Sequence, residues 1–374
     1  MNNKCIKQLL SVILFSMPSM LCYADDFKKF SISAGWFHIR PQGNSNPMAI
    51  NTLVNEGRVG KVGQISTSSF LRSIDPAYLD PDGSPYKPFI QSIFVAEPPA
   101  TMSAARFTGL EDSNGNLRAE ATGSAQVGGL EYWRQKDTGL EAKNANTIGM
   151  NFNYYLNDKV SLKFVGGIPP KVNVRGKGTI RANMIGWGII DNRSVAEYIG
   201  HNVPIKDTVP ITNLARPATV SSARAWTPTL EFQYQFGQRG VNKFRPYLGA
   251  GLMYAYFSHI KLHQQTRHDL VAAGHMIQNI MTDKAGAAMD QKSSNAKPVV
   301  KVKSEDSIAP IISLGFTYDF NEQWFSVASV SYAKLSTTVQ IDVVNANNSQ
   351  RLIRSSTKLD VDPIISYLGI GYRF

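Results

Sequence analysis

Residues 229–236 read TLEFQYQF, and every second residue is large and apolar. Leu230, Phe232, Tyr234 and Phe236 alternate with Glu231, Gln233 and Gln235. Successive side chains of an extended strand point to opposite faces, so this segment carries one aromatic face and one polar face. The same period runs through TIGMNFNYYL, where Ile148, Met150, Phe152, Tyr154 and Leu156 oppose Gly149, Asn151 and Asn153. After the two-residue turn Asn157-Asp158, KVSLKFVGGI sets Val160, Leu162, Phe164 and Ile168 against Ser161, Lys163 and Gly167. A half-buried strand of a soluble sandwich alternates in the same way. Here the apolar faces are uniformly large and aromatic, which suits lipid on one side and a polar lumen on the other.

Eight segments carry the pattern: residues 27–40, 147–156, 159–168, 222–236, 244–258, 307–320, 323–336 and 359–374. An even number closes an antiparallel barrel with both ends on one side. The connections alternate strictly in length. Asn157-Asp158, residues 237–243 and Asn321-Glu322 are short, whereas residues 41–146, 169–221, 259–306 and 342–358 run to 106, 53, 48 and 17 residues. In membrane barrels the short turns are periplasmic and the long loops are external. The sequence thus predicts an all-β chain, an eight-stranded antiparallel transmembrane β-barrel with long extracellular loops. Its last strand places Leu368, Ile370, Tyr372 and Phe374 on the outward face, with Phe374 in the periplasmic aromatic girdle.

The opening segment fits that destination. Lys4 and Lys7 precede an apolar run over residues 9–21 and the small residue Ala24, the order of a cleavable secretory signal peptide over residues 1–24. The run is too short for a membrane-spanning helix and holds Pro18. Both cysteines, Cys5 and Cys22, lie inside it, so the barrel domain expected over residues 25–374 contains none. An exported chain without disulfides needs another source of stability. The net charge of +11 would ordinarily point to nucleic acid; the export signal argues against that partner.

Four stretches resemble, in order, landmarks of the OmpW/AlkL family of outer-membrane proteins: SISAGWFHIRPQ, YYLNDKVSLKFVGGIPPKVNVRG, PTLEFQYQFG with NKFRPYLGAGLMYAYF, and LDVDPIISYLGIGYRF. The likeness covers all eight strands, roughly a third of the chain beyond the leader, and is most specific in FRPYLGAG and the closing DP and GYRF. The resemblance implies a narrow, largely apolar lumen that passes small hydrophobic compounds across the cell outer membrane. It also implies that Tyr372 and Phe374 belong to the signal read by the barrel-assembly machinery. Deleting Phe374 is then expected to lower the amount of heat-modifiable barrel in the outer membrane while export across the inner membrane stays intact; full outer-membrane levels would contradict the assembly role. Residues 41–146, 169–221 and 259–306 look longer than the family's usual loops.

Those loops hold several suggestive patterns. His259, His263, His268 and His275 share one loop but lack cysteines and near carboxylates, so they read as solvated histidines and no metal or cofactor is expected. Asp112, Asn114 and Asn116 have calcium-loop spacing, but Leu117 stands where the loop needs Gly and Gly123 where it needs Glu, so EDSNGN reads as a turn. Around Met276, Ile277, Ile280 and Met281 a short amphipathic helix fits the outer leaflet or the barrel mouth. Lys171, Arg175, Lys177 and Arg181, with Lys297, Lys301 and Lys303, lie where they would meet outer-membrane lipid and lipopolysaccharide phosphates; a solvated loop face explains them equally well.

His38 and His201 are isolated, and no nucleophile or paired carboxylate with His stands out, so the chain does not read as an enzyme. Lys163, Glu231, Gln233, Asp319 and Arg373 read as lumen-facing, their charges neutralising one another. Pro41, Pro169, Pro170, Pro228, Pro310 and Pro363 fall near the outward rim, where proline interrupts hydrogen-bonded ladders. Two explanations stand for them: a rim of poor pairing that lets an apolar molecule slip sideways into lipid, or ordinary strand ends. For function, a channel for passive uptake of small hydrophobic ligands stands against a surface adhesin, receptor or structural protein acting through its loops.

Overall fold

The computed structural model describes residues 27–96 and 101–374; the signal peptide expected over residues 1–24 lies outside them. Eight strands form the barrel: β1 Phe30–Arg40, β2 Ala145–Tyr155, β3 Val160–Gly167, β4 Thr229–Gln235, β5 Phe244–Leu262, β6 Ser307–Asp319, β7 Trp324–Ala333 and β8 Ile364–Arg373. Each pairs antiparallel with its neighbours, β8 pairs with β1, and β4 pairs with β5, so the sheet closes. Closure pairs each strand on both sides, which is how a sheet meets the demand of lipid that backbone groups be satisfied internally.

The alternation sorts the wall as the sequence predicts. Ile148, Phe164, Leu230, Phe232, Leu248, Ile312, Leu314, Leu368 and Ile370 face out, whereas Ser161, Lys163, Glu231, Gln233 and Gln235 are buried inside. Aromatic residues ring the end that carries the short turns. Phe374 stacks on Phe30 with ring centroids 6.1 Å apart, and Tyr372 meets Trp324 edge-on at 5.1 Å. Reciprocal backbone bonds join the same two ends, Phe374 N–H to Phe30 O at 3.0 Å and Phe30 N–H to Phe374 O at 3.3 Å.

Several boundaries differ from the sequence reading. Residues 222–236 are not one strand: Ser221–Trp226 and β4 are separated at Thr227-Pro228. Residues 359–374 are broken over residues 361–363, with Leu359 and Asp360 ending another strand, Arg351–Asp360. Proline lacks the N–H that would continue the ladder. Residues 342–358 form most of a hairpin between Ser336–Asn345 and Arg351–Asp360, and the segment read as β7 stops at Ala333. That hairpin alternates as a barrel strand does, but its apolar face meets protein.

The long connections fold together above the membrane. One five-stranded sheet runs Pro298–Ser304, Ser336–Asn345, Arg351–Asp360, Met48–Thr52 and Tyr132–Gln135; a four-stranded sheet runs Asn202–Asn213, Thr179–Ile189, Ser124–Gly128 and Arg58–Lys61. Strand β5, 19 residues long, would extend roughly 60 Å, about twice a bilayer's hydrocarbon core. Its upper part pairs with Ser221–Trp226, which pairs with Lys171–Lys177 and so with Gly139–Ala142, extending the wall upward. Helix α1, Gln264–Met281, covers the top, with Leu270, Ala273, Met276, Ile277 and Ile280 buried in the core shared by both sheets. The helix expected on the leaflet or mouth therefore begins earlier and packs on protein. Its apolar stripe had a sheet to cover.

Candidate functional site

The lower half of the lumen is filled. Arg373 is fully buried and donates from Nη2 to Asp319 Oδ1 at 2.7 Å, with its guanidinium 4.3 Å from the centre of the Phe325 ring. Arg245, equally buried, lies 3.2 Å from Asp158 Oδ1 and donates to the Asp158 carbonyl at 2.6 Å. Gln235 donates to Thr317 Oγ1 at 2.7 Å. Higher up, Lys163 and Glu231 are direct cross-strand partners on β3 and β4, and their charges meet at 3.1 Å. The structure thus brings Lys163 to Glu231 and Asp319 to Arg373, and buries Gln233 beside them.

Four inward aromatics complete the obstruction: Phe37, Tyr247, Phe325 and Tyr367 form one buried cluster with Val327. Phe37 and Tyr367 lie 4.4 Å apart, and the Tyr367 hydroxyl donates to Ser33 Oγ at 3.0 Å. Glycines make the room. A Cβ at Gly149 would sit 2.7 Å from the Phe37 ring, at Gly315 2.6 Å from Tyr247, at Gly369 2.3 Å from Tyr367 and at Gly371 2.3 Å from Phe325. Each ring lies over a position without a side chain, the pairing by which aromatics stabilise glycines in sheets.

Above this stopper lies a cavity of about 110 Å³. Ile39, Val174, Leu214, Met253, Ile341 and Leu359 are among its walls, so barrel, upper wall and outer sheets all contribute. An apolar cavity of this order stays dry and admits molecules the size of benzene. Pro170, Ala225 and Thr227 line it on one side.

There the wall is incomplete. Pairing of β3 with β4 ends at Val165–Thr229 and resumes above at Lys171–Arg224. Between them five residues, 166–170, face four, 225–228. The register slips by one, and Ala225 N–H to Pro170 O at 3.1 Å is the backbone bond that spans the interval. Gly166, Gly167, Pro169 and Pro228 leave this stretch short of side chains and of donors. The rim prolines do not form one group. Pro169, Pro170 and Pro228 come together here, Pro310 stays within the β6 ladder opposite Leu252, and Pro363 is buried where β8 begins. Pro41 follows β1 and also lines the cavity.

The remaining candidates scatter over the outer surface. Arg175 pairs with Glu141 at 2.7 Å, and Lys171, Lys177, Arg181, Lys297, Lys301 and Lys303 are exposed. His263 caps α1, His275 accepts from Ser294 N–H at 3.0 Å, and His38 lies 2.8 Å from Asn146. The stopper was missed by sequence reasoning, although it left a signal. Trp36-Phe37, Trp324-Phe325, Tyr247-Leu248 and Tyr367-Leu368 are adjacent bulky pairs, and in a strand one member of each must face inward.

Closed eight-stranded wall, lipid-facing apolar belt, aromatic girdle and polar lower lumen define an outer-membrane β-barrel. The chain belongs to the OmpW family, whose family model matches residues 118–290 and 286–374. It is therefore a protein of the cell outer membrane and not an enzyme. Outer membrane protein W of Vibrio cholerae serotype O1 is 28% identical over 147 residues, 39% of this chain and 51% of that protein; the matched stretch thus spans about half the relative's length. Among solved structures, OprG from Pseudomonas aeruginosa is similar with a TM-score of 0.47 and 16% identity over 93% of this chain and 96% of that one. AlkL in lipid bilayers gives 0.36 and 14% over 96% and 97%, and outer membrane protein W of E. coli 0.33 and 16% over 93% and 98%.

Proposed function

We propose that the protein admits small hydrophobic molecules into the apolar cavity and releases them sideways into the membrane through the gap between β3 and β4. The observation that carries this reading is the position of the cavity. It is closed below by the stopper and the buried ion pairs, and it abuts the one stretch of wall where β3 and β4 lose their pairing. An apolar passenger gains about 25 cal/mol for each Å² it removes from water, so cavity and lipid both favour it. The charged lower lumen does not. The rim prolines are read here as functional at Pro170 and Pro228 in particular, and the exposed lysines and arginines above the membrane as contacts for lipopolysaccharide phosphates.

Restoring backbone donors on both sides of the gap tests the exit. Pro170→Val with Pro228→Val allows one or two extra hydrogen bonds of about 1 kcal/mol each, which would slow opening roughly tenfold. Uptake of a small hydrophobic compound should fall accordingly at unchanged barrel content, and adding Pro363→Val should bring little more. Uptake equal to wild type in the well-folded variant would leave the prolines as strand ends.

A further inference from the structure

We infer that the outer portion of the protein carries a carbohydrate-binding cleft on the exposed face of its four-stranded sheet. The cleft, about 510 Å³, is separate from the lumen and is lined by Glu56, Asp75, Tyr78, Gln126, Trp187 and Lys206 among others. Its size falls in the range of small-molecule sites. It stands outside the channel and does not depend on the exit route.

The aromatic wall is set in place from beneath. Tyr86 is buried and donates its hydroxyl to the Ile199 carbonyl at 2.5 Å. Tyr78 packs edge-on against Tyr86 at 5.8 Å, and Trp187 edge-on against Tyr78 at 5.7 Å. Trp187 itself stays 39% exposed, a wide half-exposed indole fixed in orientation. Such an indole presents an apolar face with a polar N–H at its edge. The C–H face of a pyranose ring matches that surface, and its hydroxyls project around the rim.

The polar groups around the indole match hydroxyls. Among the described residues, Trp187 Nε1, the Gln126 carboxamide, the Tyr78 hydroxyl and the Lys206 ammonium make no hydrogen bond. Two fixed acceptors stand beside them. Glu56 is held by Gly129 N–H at 2.9 and 3.1 Å, and Asp75 Oδ1 by Ala77 N–H at 3.0 Å; each carboxylate keeps lone pairs free. Two carboxylates against one ammonium disfavour phosphate or other anions. A neutral, hydroxyl-rich ligand satisfies all of these groups together. The floor is bare because it is glycine: a Cβ at Gly186 would meet the Gln126 carbonyl at 1.9 Å, and one at Gly128 the Glu56 carboxylate at 2.2 Å.

The test uses the full-length protein refolded in dodecyldimethylamine oxide, which carries no sugar headgroup to compete. Methyl β-glucopyranoside, methyl α-mannopyranoside and N-acetylglucosamine are each titrated by saturation-transfer NMR at millimolar concentrations, with glycerol as the acyclic polyol control. At least one pyranoside should receive saturation at its ring protons while glycerol does not. Trp187→Ala should weaken that binding at least tenfold, Trp187→Phe should retain part of it, and Gln126→Ala should weaken it without touching the aromatic wall. Heat modifiability confirms folding of each variant. Absence of transfer to all three pyranosides, or undiminished transfer in both folded Trp187→Ala and Gln126→Ala, would overturn the inference.

Discussion

Asp319→Ala is expected to destabilise the folded barrel by about 3–5 kcal/mol, as breaking a buried ion pair by removing one partner does. Arg373 has no exposure to solvent, and its Nη2 lies 2.7 Å from Asp319 Oδ1. Without the carboxylate the guanidinium keeps the neutral Tyr155 hydroxyl and the Phe325 face, 4.3 Å away, the latter worth about 2 kcal/mol when desolvated. The urea midpoint of the heat-modifiable form in detergent reads the effect. The Lys163–Glu231 pair provides the contrast. Replacing both residues together by Met and Leu removes charge and counter-charge at once and should be near neutral. A loss below about 1 kcal/mol in Asp319→Ala would mean that water reaches Arg373 and that the lower lumen is not sealed.

Ala225→Phe is expected to abolish uptake while leaving the barrel assembled. Ala225 is buried, lines the cavity and sits beside the gap. The added phenyl ring is itself a benzene-sized occupant of a cavity of about 110 Å³. Overpacking costs about 1–3 kcal/mol, which a closed barrel should tolerate. Uptake of a monoaromatic compound should drop more than tenfold, a barrier increase of about 1.4 kcal/mol or more. Wild-type rates in the variant would place the route elsewhere.

The barrel was legible in the sequence because lipid imposes one rule on every strand. Ile148 to Leu156 and Leu230 to Phe236 announce their outward faces by period alone, and the Asn157-Asp158 turn fixes the neighbour. The ion pairs were legible as inward charges, Lys163, Glu231, Asp319 and Arg373, although pairing had to come from register. The outer portion was not legible. Its strands, such as Ser336–Asn345, bury one face on other loops, and sequence gives no sign of which distant segment supplies that cover. Met48–Thr52 pairs with Arg351–Asp360 and Tyr132–Gln135, segments far apart along the chain. Likewise the prolines could be placed near a rim from sequence, but only the paired registers show that Pro170 and Pro228 face one interval while Pro310 does not.

The sideways exit is tested most directly by locking the interval in a single protein. Both cysteines of the chain, Cys5 and Cys22, lie in the segment read as a leader, so Lys171→Cys with Arg224→Cys introduces one engineered pair, at directly opposed positions where the pairing across the gap resumes. Uptake of a monoaromatic compound is then measured in the same vesicles before oxidation, after oxidation and after reduction. The account predicts that oxidation slows uptake at least tenfold and that reduction restores it, with heat modifiability unchanged throughout. Equal uptake in the oxidised and reduced forms, with the disulfide verified by mass, would contradict it.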